Sequence, residues 1–261
     1  MNARSCLLTM ICGLLAGTIG CNTIAAQTTI AVPMELSDST STPHCQQEQF
    51  KIQQLIVPTS LLAVGTFGVY NGWFHGLRDD VRTGMTDLRK DYIHIDDYIQ
   101  YLPIASNIGL GLIGVKGKHP MREKIATTAT AYAIMGVLTN GMKHSLHETR
   151  PDTEERNSFP SSHAATVFMG AELVRMEYGW GYGLAAYSIA AGTAFLRLYN
   201  DRHWLNDVIG GAGIGILSAQ AAYWLLPLER KLLGWKSPSS SFVLVPFTDG
   251  HSANVSLFWH F

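Results

Sequence analysis

Charge is scarce in this chain. Asp, Glu, Lys and Arg make up 15% of the 261 residues, against about 25% in an ordinary soluble protein. The two signs nearly cancel, with 19 Lys+Arg, 20 Asp+Glu and a formal net charge of -1. With 47% hydrophobic residues, the chain is excluded from the disordered class and from the coiled coils, both of which carry more charge. The lack of a basic excess also excludes a nucleic-acid partner, whose phosphates require a cationic face. Cysteine is nearly confined to the beginning: Cys6, Cys12 and Cys21 precede residue 26, and only Cys45 follows. A single remaining thiol forms no internal disulfide, so cysteine says nothing about the redox compartment. What is abundant is glycine, at 25 residues, together with long uncharged runs. That balance points to a membrane-embedded or membrane-adjacent protein.

Residues 5–34 contain no charged side chain, follow Arg4, and carry the apolar core Leu7, Leu8, Met10, Ile11, Leu14, Leu15, ending in Ala25 and Ala26. A basic, then apolar, then small-residue order is that of a secretory signal, so residues 1–26 are expected to be a signal peptide cleaved after Ala26. An uncleaved anchor helix and a lipoprotein acylated at Cys21 are the alternatives for the same segment. Residues 27–49 are polar, with no apolar period, and are expected to form a flexible tail.

Uncharged runs then follow at 52–77, 98–115, 125–142, 178–196 and 208–228. Each is long enough to cross a bilayer core as a helix. Another helix should begin at Ser161, but Glu172, Arg175 and Glu177 interrupt it, with Glu172 and Arg175 an i, i+3 pair, so it reads as amphipathic rather than spanning. The fold class expected is all-α, a six-helix bundle over residues 50–236. Beyond it, Phe242, Leu244 and Pro246 alternate, Thr248, Asp249 and Gly250 supply a turn, and Val255, Leu257 and Trp259 alternate again. Residues 237–261 are therefore expected to be a short β-hairpin.

Three polar clusters punctuate the helices. Lys143 to Pro151 closes the third apolar helix, with Lys143 and Arg150 seven apart and so on one helical face if the helix persists. Pro160, Ser161, Ser162 and His163 open the next helix, whose first unpaired amides make a ready anion site. Arg197 to Asp207 bridges the last two helices and carries His203 and Asp207 at i, i+4. In an up-and-down bundle all three fall at one end. Three cations, two imidazoles, a carboxylate and a helix start then surround one volume. Such a set suits phosphoryl transfer: cations neutralise the oxygens, one imidazole attacks phosphorus, and the other protonates the leaving oxygen. The carboxylate would hold the attacking imidazole in its tautomer. No metal or other cofactor is required. His144 and His147 lack an evident third ligand, so no zinc site is expected.

At these residues the chain resembles the type 2 phosphatidic acid phosphatase superfamily, which includes lipid phosphatases, class A acid phosphatases and vanadium haloperoxidases. The family pattern K-x6-R-P, P-S-G-H, S-R-x5-H-x3-D is matched by Lys143, Arg150 and Pro151, then Pro160, Ser161 and His163, then Arg197, His203 and Asp207. The resemblance covers residues 50–230. It implies a membrane-associated phosphatase bundle in which His203 is the nucleophile forming a phosphohistidine, Asp207 its orienting partner and His163 the general acid. It further implies Lys143, Arg150, Arg197, Ser161 and the amides around Ser162 as the phosphate-binding set. Two positions depart: Ser162 replaces the Gly of P-S-G-H, which only a helical conformation tolerates, and Leu196 replaces the Ser before Arg197.

Expected function is therefore metal-independent hydrolysis of a phosphate monoester on an envelope lipid, with lipid A phosphate the first guess. Undecaprenyl diphosphate, phosphatidate or phosphatidylglycerol phosphate are the alternative substrates. A vanadate-dependent haloperoxidase would use the same pocket, and a non-catalytic envelope scaffold would not need the pocket at all. Partners expected are a phospholipid or lipid A type substrate and a membrane, with export to the bacterial cell envelope and an active site facing the periplasm. Tyr92, Asp96, Asp97, Tyr98 and Tyr101 form an acidic aromatic cluster, expected to anchor at the membrane interface, with a role in substrate access as the alternative. Oligomeric state is not encoded in any pattern found.

Overall fold

The computed structural model describes residues 51–235 and the backbone of two strands, Phe242–Thr248 and Ala253–Trp259. The expected signal peptide, the polar tail and the turn at Asp249 and Gly250 lie outside the described residues.

Eight helices are described where the sequence suggested six. They are α1 (Ile52–Tyr70), α2 (Gly72–Leu88), α3 (Asp96–Ile99), α4 (Leu102–Leu112), α5 (Met121–Leu146), α6 (Ser162–Tyr178), α7 (Trp180–Tyr199) and α8 (Leu205–Leu232). The first uncharged run is broken at Asn71, whose extended backbone ends α1 and whose side chain accepts the amides of Trp73 and Phe74. An Asn cap satisfies two donors that a continuous helix would have paired internally, so a new helix starts in a new direction. The second run yields only the one-turn α3 and the short α4, which opens with Pro103 near its first position.

The largest revision concerns α6. Its charged residues suggested an amphipathic helix, but it is the core of the bundle, packed on α4, α7 and α8. Glu172 and Glu177 are both 2% exposed. Each has partners inside: Glu172 accepts two bonds from Arg175 at 2.6 Å and one from Tyr187 at 2.7 Å, and Glu177 lies 2.9 Å from His119 Nδ1 and 3.6 Å from Lys124 Nζ. Burial of a carboxylate is tolerated only with such partners.

Glycine sets the close approach of α8 to its neighbours. A Cβ on Gly211 would lie 2.5 Å from the Ser161 carbonyl, one on Gly215 2.3 Å from that of Ala165, and one on Gly65 of α1 2.6 Å from the Gly210 amide. Bare backbone therefore meets backbone on two sides of α8. Around these contacts Ala131 and Met135 of α5, Met169 and Leu173 of α6, and Ile214, Tyr223 and Leu226 of α8 form one apolar cluster. Each fully buried large side chain in it contributes about 1.5–3 kcal/mol.

Among the described residues, α1 and α8 are long and apolar enough to cross a membrane, by length and composition. α8 is mostly buried, whereas α1 exposes Ile52, Ile56, Val57, Val64 and Phe67. The two strands pair antiparallel, with Phe242 opposite Trp259, Leu244 opposite Leu257 and Pro246 opposite Val255.

Candidate active site

The end of the bundle where α5 stops and α6 and α8 begin carries all three polar clusters. Ser161 caps α6, its hydroxyl accepting the Ala164 amide at 3.4 Å. Its own amide donates to the Asp207 carbonyl at 3.0 Å, which ties the start of α6 to the first turn of α8. Ser162 opens α6 in a helical conformation, and the left-handed non-glycine residues described are His147 and Asp201. A side chain at this glycine position of the pattern therefore introduces no backbone strain.

Asp207 is completely buried and heavily bonded. Its Oδ2 accepts from the Ser158 hydroxyl and from the Trp204 amide at 2.8 Å, and Oδ1 accepts from Asn206 Nδ2 at 3.2 Å. His203 Nδ1 lies 3.4 Å from the same Oδ2 and has no hydrogen-bond partner. The pair is not a helical i, i+4 pair, because His203 stands in the loop before α8. It is the carboxylate, turned back to cap its own helix, that faces the imidazole. With Nδ1 turned to the carboxylate, Nε2 is the ring nitrogen that faces away from it. Burial, then the charges of Arg197, Arg150 and Lys143, hold the His203 imidazole well below its usual 6.5. It is therefore neutral near pH 7, as a nitrogen nucleophile must be.

The cations reach this site by different routes. Lys143 sits in the last turn of α5 and donates to the Asn157 carbonyl. Burial first, then Arg150, lowers its pKa to about 8. Arg150 does not continue a helical face with Lys143, since α5 ends at Leu146 and His147 turns left-handed with φ 49. Instead the loop folds back, with the Arg150 amide on the Glu155 carbonyl at 3.0 Å and Nε on Asn157 Oδ1 at 2.7 Å. Arg197, in the last turn of α7, is 6% exposed. It shares a cavity of about 90 Å³ with Arg150, His94, Asp96 and Asp97. A second cavity, about 420 Å³, is lined by Lys143, His144, His147 and Asn157. His163, in the first turn of α6, places Nε2 3.0 Å from Asp97 Oδ1. Its pKa is lowered by burial and by Arg197, against the opposing pull of Asp97.

Several residues at the site carried no motif. Asp96 binds Arg197 at 2.8 Å and Asp97 touches both Arg197 and His163, so the two carboxylates of the acidic aromatic cluster face the site while Tyr92, Tyr98 and Tyr101 are exposed. Ser158 holds Asp207. From α2, Arg78 binds Glu148 and stacks 4.3 Å over Trp204, while Arg82 binds Asp201 at 2.8 Å and the Pro151 carbonyl at 2.6 Å. These arginines clamp the two loops that present Arg150 and His203. Their one local signal is the i, i+4 spacing that places both on one face of α2.

Comparison with known proteins bears on the same residues. The sequence model described as the PAP2 superfamily matches residues 124–231. A lipid A 1-phosphatase of Porphyromonas gingivalis is 37% identical over 139 residues, which are 51% of this chain and 31% of that protein. The chain thus spans about a third of the length of that relative. The bacitracin transport permease protein BcrC of Bacillus licheniformis is 24% identical over 172 residues, covering 59% of this chain and 83% of that one. Among solved structures, a transmembrane PAP2 type phosphatidylglycerolphosphate phosphatase from Bacillus subtilis is 19% identical with a TM-score of 0.47, over 69% of this chain and 99% of that one. All nine positions of the ordered motif fall inside the segment that the PAP2 superfamily model matches.

Proposed function

We propose that the protein is a phosphoric monoester hydrolase that acts on an envelope lipid, with lipid A phosphate the first candidate substrate. The observation that carries this reading is the convergence of a neutral, buried His203 beside Asp207, a second imidazole at His163, and three cations at one end of the bundle. The 37% identity to a lipid A 1-phosphatase supports the choice of lipid. Apolar side chains exposed along α1 support a membrane-associated substrate. The uncharged run at residues 5–34 supports export to the envelope with a site facing the periplasm.

In the proposed cycle the phosphate oxygens lie among Lys143, Arg150, Arg197 and the amides at the start of α6. His203 Nε2 attacks phosphorus, forming a P–N bond as the P–O bond to the leaving group breaks. His163 gives its proton to the leaving oxygen. Asp207 stabilises the positive imidazole while the phosphohistidine exists. Water then attacks phosphorus, surrendering a proton to His163, and inorganic phosphate leaves with both imidazoles restored.

Phosphate release from lipid A by purified protein in detergent, with and without a chelator, tests the reading, with His203→Ala as control. Chelator-insensitive release that disappears in the variant is expected. Release that persists in His203→Ala would overturn the nucleophile assignment.

A further inference from the structure

Asp97 occupies an unusual position for a carboxylate. One oxygen, Oδ1, lies 3.0 Å from His163 Nε2 and 3.4 Å from Arg197 Nη1, two groups that the proposed chemistry turns toward the substrate. The placement is built rather than incidental. Asp96, beside it, is 1% exposed and bonded to Arg197 at 2.8 Å and to Asn200 at 3.4 Å. Asn200 also holds the Ile93 amide at 3.0 Å and the Ile93 carbonyl at 2.7 Å. The one-turn α3 is thereby pinned to the end of α7 by two side chains, and Asp97, half exposed, is the residue it projects at His163.

We propose that Asp97 is a specificity-determining residue that favours phosphate monoesters with an uncharged leaving group and disfavours diphosphates. The inference rests on the phosphatase reading above and narrows its substrate class. In-line displacement puts the leaving oxygen opposite the attacking nitrogen, on the side from which the general acid protonates it. A carboxylate bonded to His163 therefore stands beside the leaving group. For a sugar or glycerol leaving group it is an acceptor for hydroxyls. A diphosphate has a second phosphate as its leaving group, and two anions a few ångströms apart in a partly buried site repel. The other charges acting on His163 are Asp96 of the same helix and Arg197 of α7. Arg197 lies 3.4 Å from Asp97 and is held more closely by Asp96, at 2.8 Å, and Arg202 is paired with Asp152 at 3.0 Å, so Asp97 divides one cation with Asp96.

The test compares kcat/KM for lipid A and for undecaprenyl diphosphate in the wild type, Asp97→Asn and Asp97→Glu. In Asp97→Asn the diphosphate to monoester ratio should rise about tenfold, with Asp97→Glu returning toward wild type. Loss of the carboxylate also lowers the His163 pKa, so the alkaline limb of the pH profile should move to lower pH. A residue with a merely structural role would lower both substrates in parallel and leave the ratio and the limb in place; that outcome overturns the inference alone. Absence of phosphate release from both substrates in the wild type overturns the phosphatase reading and this inference with it.

Discussion

Asp207 meets Ser161 through its backbone and His203 through its side chain: its carbonyl accepts the Ser161 amide at 3.0 Å, and its carboxylate lies 3.4 Å from His203 Nδ1. One residue thus fixes the helix start that would receive phosphate and orients the imidazole that would attack it. Asp207→Asn keeps the shape but reverses the donor pattern at one position, and should lower kcat by about 10²- to 10⁴-fold with little change in the far-UV circular dichroism. Turnover equal to wild type would contradict the orienting role.

Ser158 is the support behind that carboxylate. Its hydroxyl donates to Asp207 Oδ2 in a fully buried setting. Ser158→Ala removes a hydrogen bond to a charged group, worth about 1.5–3 kcal/mol, and should reduce kcat by roughly ten- to a hundredfold. Steady-state kinetics on the same lipid substrate decides it, and an unchanged kcat would make the bond irrelevant to turnover.

The pH dependence follows from two imidazoles required in opposite states. His203 must be neutral and Asp207 ionised; the His203 pKa is held well below 6.5, but burial raises the Asp207 carboxyl to about 6, so Asp207 sets the acid limb, near 6. His163 must be protonated, and its pKa is also lowered, though less, so the alkaline limb begins below the ordinary histidine range. A bell in kcat/KM with its maximum on the acid side of neutrality is expected. His163→Ala should abolish the alkaline limb while leaving a slower residual rate.

Lys143, lowered to about 8 by burial first and then by the charges of Arg150 and Arg197, titrates within the working range of an assay. A bound phosphate anion favours the charged ammonium and raises that pKa. Phosphate or vanadate binding should therefore weaken as pH rises through about 8 and be accompanied by proton uptake. Calorimetry in buffers of different ionisation enthalpy would read the uptake, and Lys143→Met should remove it.

Gly215 tests the packing that positions the site. A Cβ there would sit 2.3 Å from the Ala165 carbonyl, backbone that cannot move without shifting α6. Gly215→Ala should cost about 1–3 kcal/mol through overpacking and lower Tm, whereas Gly136→Ala, with open space around it, should not.

How far the sequence reached differs from element to element. The start of α6 was legible because Pro160 and Ser161 are local punctuation, whereas Pro151 marked the loop after α5 but not the end of that helix at Leu146. The break at Asn71 was hidden inside an uncharged run, because a helix cap needs a polar residue and not a charge. α6 was misjudged for the converse reason: its charges mark a polar face by pattern, yet Glu172 and Glu177 find partners on α7, α8 and the loop before α5, and Arg175 is bonded to Glu172 and lies over Trp180 of α7.

What the sequence determined by itself is the set of chemical groups and their order, since residue type and spacing to Pro, Ser and Gly are local properties. Nine positions between Lys143 and Asp207 named the cations, the imidazoles and the carboxylate. Only the tertiary structure decided which carboxylate each cation and imidazole meets. Asp97 reaches His163 across 66 positions and Arg197 across 100, Ser158 reaches Asp207 across 49, and Arg82 reaches Asp201 across 119. Such pairings leave no periodicity in the chain, because they form only once glycine-lined helices have brought distant backbone within a few ångströms.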